Sequence, residues 1–361
     1  MQLPERYARD QKIWDDCAQA YEAAIVHGHP DVTAYENFEE DLLDRILLFL
    51  ARDARQELHL YDVGCGSGRL HLRYGLQALH PSRLTQNPAA HKLQSVRPGF
   101  QHVPEIAAGL RQVGGLDFSK NMLDLARTKL EQAGLLDLPD LQMNLEQGSA
   151  FDLQPFQAKP LPIVVTLCNS IGVMQGPEGA RQLFQAMRRA VEAVGGIAII
   201  SAYCREAIAD FALNNYESTM DASGQPCWLQ PTTYADPQWR QKPHRYKRAY
   251  DQDPTIVVDV YNSSNQLQHQ EHKLQRDPDA VAKTIASGHI LTHHGYESRW
   301  YGTDVFRQWI KQYWPEDRAW HIAGSMIDAP RATPIQLAVL DAGNHLTPFF
   351  KRLHLQNRFF K

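Results

Sequence analysis

The sequence predicts an α/β protein built on an open, mostly parallel sheet with helices on both faces. Three observations carry this. Residues 58–69, Leu-His-Leu-Tyr-Asp-Val-Gly-Cys-Gly-Ser-Gly-Arg, read as a buried strand running straight into a glycine turn that opens a helix. From 58 to 201, apolar runs alternate with amphipathic stretches in the order β-α-β-α-β-loop-β-α-β, the pattern of crossover connections. Two later runs, near 321–327 and 334–341, add antiparallel sixth and seventh strands.

A chain of 361 residues, 43% hydrophobic and 22% charged, can bury a sizeable core. Its formal charge of −4 provides no global field to draw nucleic acid or an anionic membrane, so neither is an expected partner. Five cysteines, odd in number, scattered and without a C-x-x-C pair, suggest neither a disulfide framework nor a zinc site and fit a reducing cytoplasm. The start lacks a basic segment followed by an apolar run, and no stretch approaches 18 continuous apolar residues, so secretion and membrane spanning are not expected. The pair His293-His294 has no partners at ligand spacing, and no metal is expected.

In chain order, Ile13, Trp14, Cys17, Ala18 and Tyr21 recur at helical spacing over Gln11–Ala24. Tyr35–Ala51 is a second amphipathic helix, with Phe38, Leu42, Leu43, Ile46, Leu47 and Leu50 inward. After the glycine turn and its helix, residues 79–105 carry Pro81, Pro88, Pro98, Gly99 and Pro104 with no sustained apolar period. They read as a long excursion that is either functional, as a lid or a partner surface, or disordered. Val113–Phe118 is the second strand, Ser119 caps the helix after it, and Gly134 stops that helix. Leu141, Met143 and Leu145 alternate as a third strand, and Leu161–Cys168 is a continuous apolar run buried on both faces. A helix containing Ala180–Val194 ends at Gly195-Gly196, before a fifth strand over Ile197–Ser201.

Beyond 201 the composition changes. Residues 221–254 are rich in Pro, Trp and Tyr, and Arg240, Lys242, Arg245, Lys247 and Arg248 form a basic cluster. A solvated face is the default for that cluster; a site for a substrate carboxylate or phosphate, or for RNA, is the alternative. Thr255–Tyr261 and a strand through Leu274 form a hairpin, and Thr303 caps a helix with Phe306, Trp309 and Ile310 inward. The aromatic and basic tail from Leu346 has no readable role.

Several of these segments resemble the class I S-adenosylmethionine-dependent methyltransferases, nearest to those acting on small molecules. DVGCGSGR is similar to their motif I, GLDFSKNMLDLA to motif II, and GSAFDL to motif III, with Ser149 where an acidic residue is usual. The segment Asp15–Glu22 resembles the one that packs as a lid over the cofactor, Cys168-Asn169-Ser170 the motif after the fourth strand, and Glu297–Tyr301 the stretch that returns the chain to the core. The resemblance implies a seven-stranded Rossmann-like sheet with an antiparallel substrate-side addition and S-adenosylmethionine as cofactor. The cofactor-binding residues it implies are Asp62, Gly64, Cys65, Gly66 and Gly68 in the first motif and Asp117, Phe118 and Met122 in the second. Ser149, Ala150, Phe151, Cys168, Asn169 and Ser170 complete the set. Tyr21, His293, Glu297 and Tyr301 are the catalytic candidates for deprotonating an amine acceptor.

The expected organisation is a lid and cover region at 1–57, a cofactor core at 58–201 with the insertion 79–105, a substrate-side addition at 202–296, and a return to the sheet at 297–361. The expected function is methyl transfer to a small molecule, such as an amino acid or amine. An RNA or protein methyltransferase, and a non-catalytic cofactor-binding regulatory or scaffold protein, stay open as alternatives. The oligomeric state is not legible.

Overall fold

The computed structural model describes residues 3–25, 30–96, 100–204, 217–220, 226–229, 255–261, 267–274, 289–291, 297–324 and 335–355. Helices α1 (Leu3–Ile25) and α2 (Pro30–Leu48) come first, α2 continuing into a π turn at Phe49–Asp53. Strand β1 (Leu58–Val63) leads through the glycine turn into α3 (Arg69–Gln77), and then come α4 (Pro81–Leu84), α5 (Pro88–Val96) and α6 (Pro104–Gly109). Next are β2 (Leu110–Asp117), α7 (Lys120–Gln132), β3 (Gln142–Gln147), β4 (Leu161–Thr166), α8 (Ser170–Val173), α9 (Gly176–Glu192) and β5 (Ile197–Tyr203). After hairpin strands between 217 and 299, α10 (Thr303–Tyr313), β6 (Ala319–Gly324), β7 (Ile335–Asp341) and α11 (Thr347–Leu355) close the described chain.

The sheet has seven strands in the order β6-β7-β5-β4-β1-β2-β3. Five are parallel, and β7 runs antiparallel to both β5 and β6. This is the Rossmann-like arrangement expected. Strand alternation divides the core in two. Leu58, Leu60, Ile163, Val165, Ile197, Ile199, Leu337 and Val339 join α2 and α11 on one face. Val63, Val164, Ala198, Ile200, Ala338 and Leu340 join α9 and α10 on the other. Each fully buried Leu, Ile or Val contributes about 1.5–3 kcal/mol, so these paired faces are the main cohesion of the fold.

The structure revises the reading of three segments. Helix α1 starts two turns earlier than Gln11, at Leu3, which brings Tyr7 and Asp10 onto it. The excursion is helical, because Pro81, Pro88 and Pro104 stand at first helical positions, where the missing N–H and fixed φ favour helix initiation. His80 and Asn87 accept the Ser82 and Ala89 N–H groups at 3.3 and 2.9 Å and cap two of these helices. Its apolar residues Leu84, Ala90 and Phe100 pack with Leu76, Leu130 and Leu135, so this face of the excursion backs α3 and α7. The start of the tail, Leu346–Leu353, is core: Phe350 stacks on His321 at 3.8 Å, and Phe349 meets Phe49 at 5.6 Å. The Thr255–Tyr261 and Leu267–Leu274 strands pair as a hairpin, whereas the basic cluster at 240–248 lies outside the described residues.

Candidate active site

A cavity opens at the carboxyl ends of β1, β2 and β4 and is roofed by α1. That is the place of a small-molecule site in an open α/β sheet. Its floor begins at the glycine turn. Gly64 (φ +77°) and Gly66 (φ +50°) take left-handed backbone that an L side chain rarely adopts, and both line the cavity. A Cβ at Gly64 would sit 3.2 Å from Met174 Cε and 3.4 Å from Ser170 Oγ, whereas one at Gly66 would meet open space. Gly68 serves packing instead. A Cβ there would lie 2.9 Å from Ala126 Cβ, so Gly68 lets α7 approach the turn and does not line the cavity.

The turn is tied to the end of β2. Gly64 and Cys65 N–H donate to Leu116 O at 2.7 and 3.0 Å, and Gly66 N–H donates to Asp117 Oδ2 at 2.8 Å. Ser119 N–H donates to Asp117 Oδ1 at 2.9 Å. An ionised carboxylate offers about four acceptor positions, so Asp117 keeps capacity toward the cavity after these two bonds. Burial pushes Asp117 up to about 6, against the lowering effect of the Ser119 and Gly66 N–H groups. Asp62, buried at the end of β1, is pushed up to about 7 by burial; Arg69 opposes this, and the nearby Asp117 and Glu39 add to it.

Helix α1 is fastened across the mouth at three points. Gln11 Nε2 donates to Phe118 O at 2.6 Å, and Asp15 Oδ1 accepts from Ser119 Oγ at 2.6 Å and Asn121 N at 3.1 Å. Lys129 Nζ joins both Glu22 oxygens at 3.0 Å to Ser67 Oγ at 3.1 Å. Tyr7, Asp10, Trp14 and Tyr21 of this helix line the cavity. Trp14 and Tyr21 meet edge-on at 5.2 Å, as do Tyr7 and Phe118 at 5.5 Å.

The far wall rests on a buried ionic network. Glu39 of α2 is fully buried and accepts from Cys168 N–H at 2.9 Å, from Ser201 Oγ, and from Arg69 at 3.3 Å. Burial raises the Glu39 carboxyl, against the Arg69 charge and these donors. Arg69 and Arg73 share Glu40 at 3.1 and 2.9 Å, and Arg73 continues to Asp44. Above Glu39, Cys168 and Asn169 hold successive left-handed conformations, φ +54° and +57°. Asn169 Oδ1 accepts Tyr203 N–H at 3.0 Å, while Nδ2 donates to Arg299 O at 3.1 Å and Ser298 Oγ at 3.3 Å.

The cavity thus brings together Tyr21, Gly64, Gly66, Asp117, Phe118, Met122, Ala150, Phe151 and Ser170 of the residues singled out in the sequence. Others stand elsewhere. Cys65 packs against β2, where a Cβ on Gly115 would lie 2.9 Å from its own. Ser149 caps the turn at Ala150–Asp152 by accepting Phe151 N–H at 3.2 Å, and it lines a neighbouring groove. Asp62, Cys168 and Asn169 lie behind the wall and do not line the cavity. Tyr301, expected at the site, is a core residue, its ring 5.2 Å from Trp309 and 6.4 Å from Phe306. His293 and the side chain of Glu297 lie outside the described residues.

No protein-family model and no curated protein matches the sequence. Solved structures do resemble it. They include an S-adenosylmethionine-dependent methyltransferase from Clostridium acetobutylicum, 12% identical with a TM-score of 0.43, covering 91% of this chain and 99% of that one. The CcbJ methyltransferase from Streptomyces caelestis is 12% identical with a TM-score of 0.45, covering 92% and 98%. The methyltransferase domain of bacterial CtHen1-CN is 12% identical with a TM-score of 0.39, covering 84% and 98%.

Sequence reasoning missed Tyr7 and Asp10 as cavity residues. The available signal was the series 7, 10, 14 and 21, which stays on one helical face but places an acid among aromatics. No group of His, Cys, Asp or Glu among the described residues could hold a metal ion, and no described helix is long and apolar enough to cross a membrane.

Proposed function

We propose that the protein is an S-adenosylmethionine-dependent methyltransferase that acts on a small molecule, an amino acid or another amine being the class favoured by the sequence. One observation carries this: Asp117, at the carboxyl end of β2, is held by Gly66 and Ser119 N–H groups and faces a cavity floored by side-chain-free backbone. A carboxylate in that setting accepts from two adjacent hydroxyls, as on a ribose. The residues present also fit the rest of such a ligand, with Phe118, Ala150 and Phe151 as apolar walls for a base and the glycine turn for close backbone approach.

S-adenosylmethionine, when bound, supplies a methyl group on a sulfonium. The chain's own contribution is positioning and exclusion of water: α1 closes the cavity with aromatic rings, and the Glu39 network fixes the wall that carries Ser170. Tyr21 is the catalytic candidate within reach of the cavity, as a proton acceptor for an amine.

The test is calorimetric titration with S-adenosylmethionine and S-adenosylhomocysteine. Wild type binds both, and Asp117→Ala weakens binding about tenfold or more, the loss of hydrogen bonds to a charged acceptor. Because the free Asp117 carboxyl sits at about 6 and hydroxyl donors favour its ionised form, affinity falls as pH drops below about 6. Asp117→Asn removes that step. Absence of binding by wild type sinks the reading, and labelled cofactor with metabolite, tRNA and protein fractions then identifies the acceptor class.

A further inference from the structure

Gln175, which follows β4 and α8 in the chain, lines the cavity and is 7% exposed, yet the proposed function gives it no role. No hydrogen bond reaches its side-chain amide among the described residues, and it leaves the start of α9 uncapped. The amide is not sealed away either, since the enclosed polar atoms without a partner all belong to other residues. A buried amide normally has a partner, and one that borders a cavity finds it in the cavity's occupant. The backbone of Gln175 is left-handed, φ +56°, because the chain folds tightly onto the first turn of α9. Gly179 permits this: a Cβ there would collide with Met174 O and lie 2.9 Å from Gln175 Cβ.

Charge narrows what the amide meets. The described residues lining the cavity include two carboxylates, Asp10 and Asp117, and no Lys, Arg or His. The N-terminus of α9, a helix of 17 residues, is the positive feature at this edge, and Gln175 stands in front of it. Glu178 of the first turn is exposed and turns to Arg181, at 2.6 Å. An amide N–H before a helix N-terminus suits an anion that accepts hydrogen bonds. A singly charged carboxylate fits, whereas a phosphate dianion would face two carboxylates with no basic side chain to balance it. Along the same wall, Ser170 and Met174 are the residues that approach the glycine turn, and Gln175 comes after them.

Resting on the proposed methyl-transfer reading, we infer that Gln175, with the N-terminus of α9 behind it, is a specificity residue that binds the carboxylate of the methyl acceptor. The acceptor class is thereby narrowed to amines that bear a carboxylate, such as amino acids. Gln175 Nε2–H donates to a carboxylate oxygen, and the helix end adds partial positive charge. The same positive end repels the ammonium group, so the molecule is oriented as well as held. A carboxamide in place of the carboxylate forfeits the charge-assisted bond.

Calorimetric titration of the protein saturated with S-adenosylhomocysteine tests this, with a panel of amino acids and their carboxamides as probes. Wild type binds at least one amino acid and prefers it to its carboxamide by about tenfold or more. Gln175→Leu weakens the amino acid about tenfold and the carboxamide less than about threefold. Gln175→Glu sets like charges together and reverses the preference. Gln175→Gly, which suits the positive φ, repeats the loss seen with Gln175→Leu and so separates the amide's effect from a folding defect. Failure of every amino acid to bind wild type overturns the inference, as does equal weakening of acid and carboxamide in all three variants. So does weaker S-adenosylhomocysteine binding in the variants with 5′-methylthioadenosine, which lacks a carboxylate, unaffected: the amide then serves the cofactor. Those results leave the methyl-donor reading standing, whereas wild type binding no S-adenosylhomocysteine ends that reading and this inference together.

Discussion

Two left-handed turns sit side by side at the carboxyl ends of adjacent strands and are held by opposite means. At 64–68 the positive φ values belong to glycines, so no side chain resists and the backbone faces the cavity. At 168–169 they belong to Cys and Asn, a conformation that costs about 1–3 kcal/mol per residue unless the surroundings offset it. Glu39, Ser201 and the Asn169 amide supply the offset through hydrogen bonds drawn from α2, β5 and the 298–299 segment. The first turn is open and serves a ligand. The second is closed on itself and serves the wall.

The contrast can be broken from either side. Glu39→Leu leaves the Cys168 N–H, the Ser201 hydroxyl and part of Arg69 without their acceptor, and the expected loss is about 3–5 kcal/mol in chemical denaturation. A near-neutral result would mean that the second turn stands without its buried anion. Gly64→Val forces a branched side chain into φ +77° against Met174 and Ser170, with a drop in S-adenosylhomocysteine affinity of about a hundredfold, or about 2.7 kcal/mol. Unaltered affinity would show that a ligand does not need that backbone. The smallest effects come from giving the second turn the residue of the first. Asn169→Gly relieves strain but deletes the amide's bonds and destabilises by about 1–3 kcal/mol, while Cys168→Gly stays within about 1 kcal/mol of wild type. Equal values for the two would remove the distinction.

Legibility in the sequence follows the same division. The glycine turn, the Asp117-Phe118-Ser119 segment and the strand runs were readable because local chemistry decides them: glycine for positive φ, serine for a cap, apolar runs for buried strands. The Cys168-Asn169 turn was legible as a strand end but not as a self-held wall, since its partners are 129 and 34 residues away. Pro81, Pro88 and Pro104 each start a helix, which the sequence does not disclose because proline marks a boundary without telling which side is helical. Tyr301 was drawn to the site by its motif, while Phe306 and Trp309 on the next helix pull it into the core.

The 46 residues at 64–109 that separate β1 from β2 bear on the chain entropy of the ligand site. Loop-closure entropy grows only with the logarithm of length, so compared with a crossover of about 20 residues the longer path adds under about 1 kcal/mol. Helices α4 and α5 fold against α3 and α7, and α6 packs through Ile106 into the core beneath α2, so the path that remains flexible is shorter. The glycine turn and Asp117 can therefore lie far apart along the chain and still meet at 2.8 Å with little thermodynamic penalty.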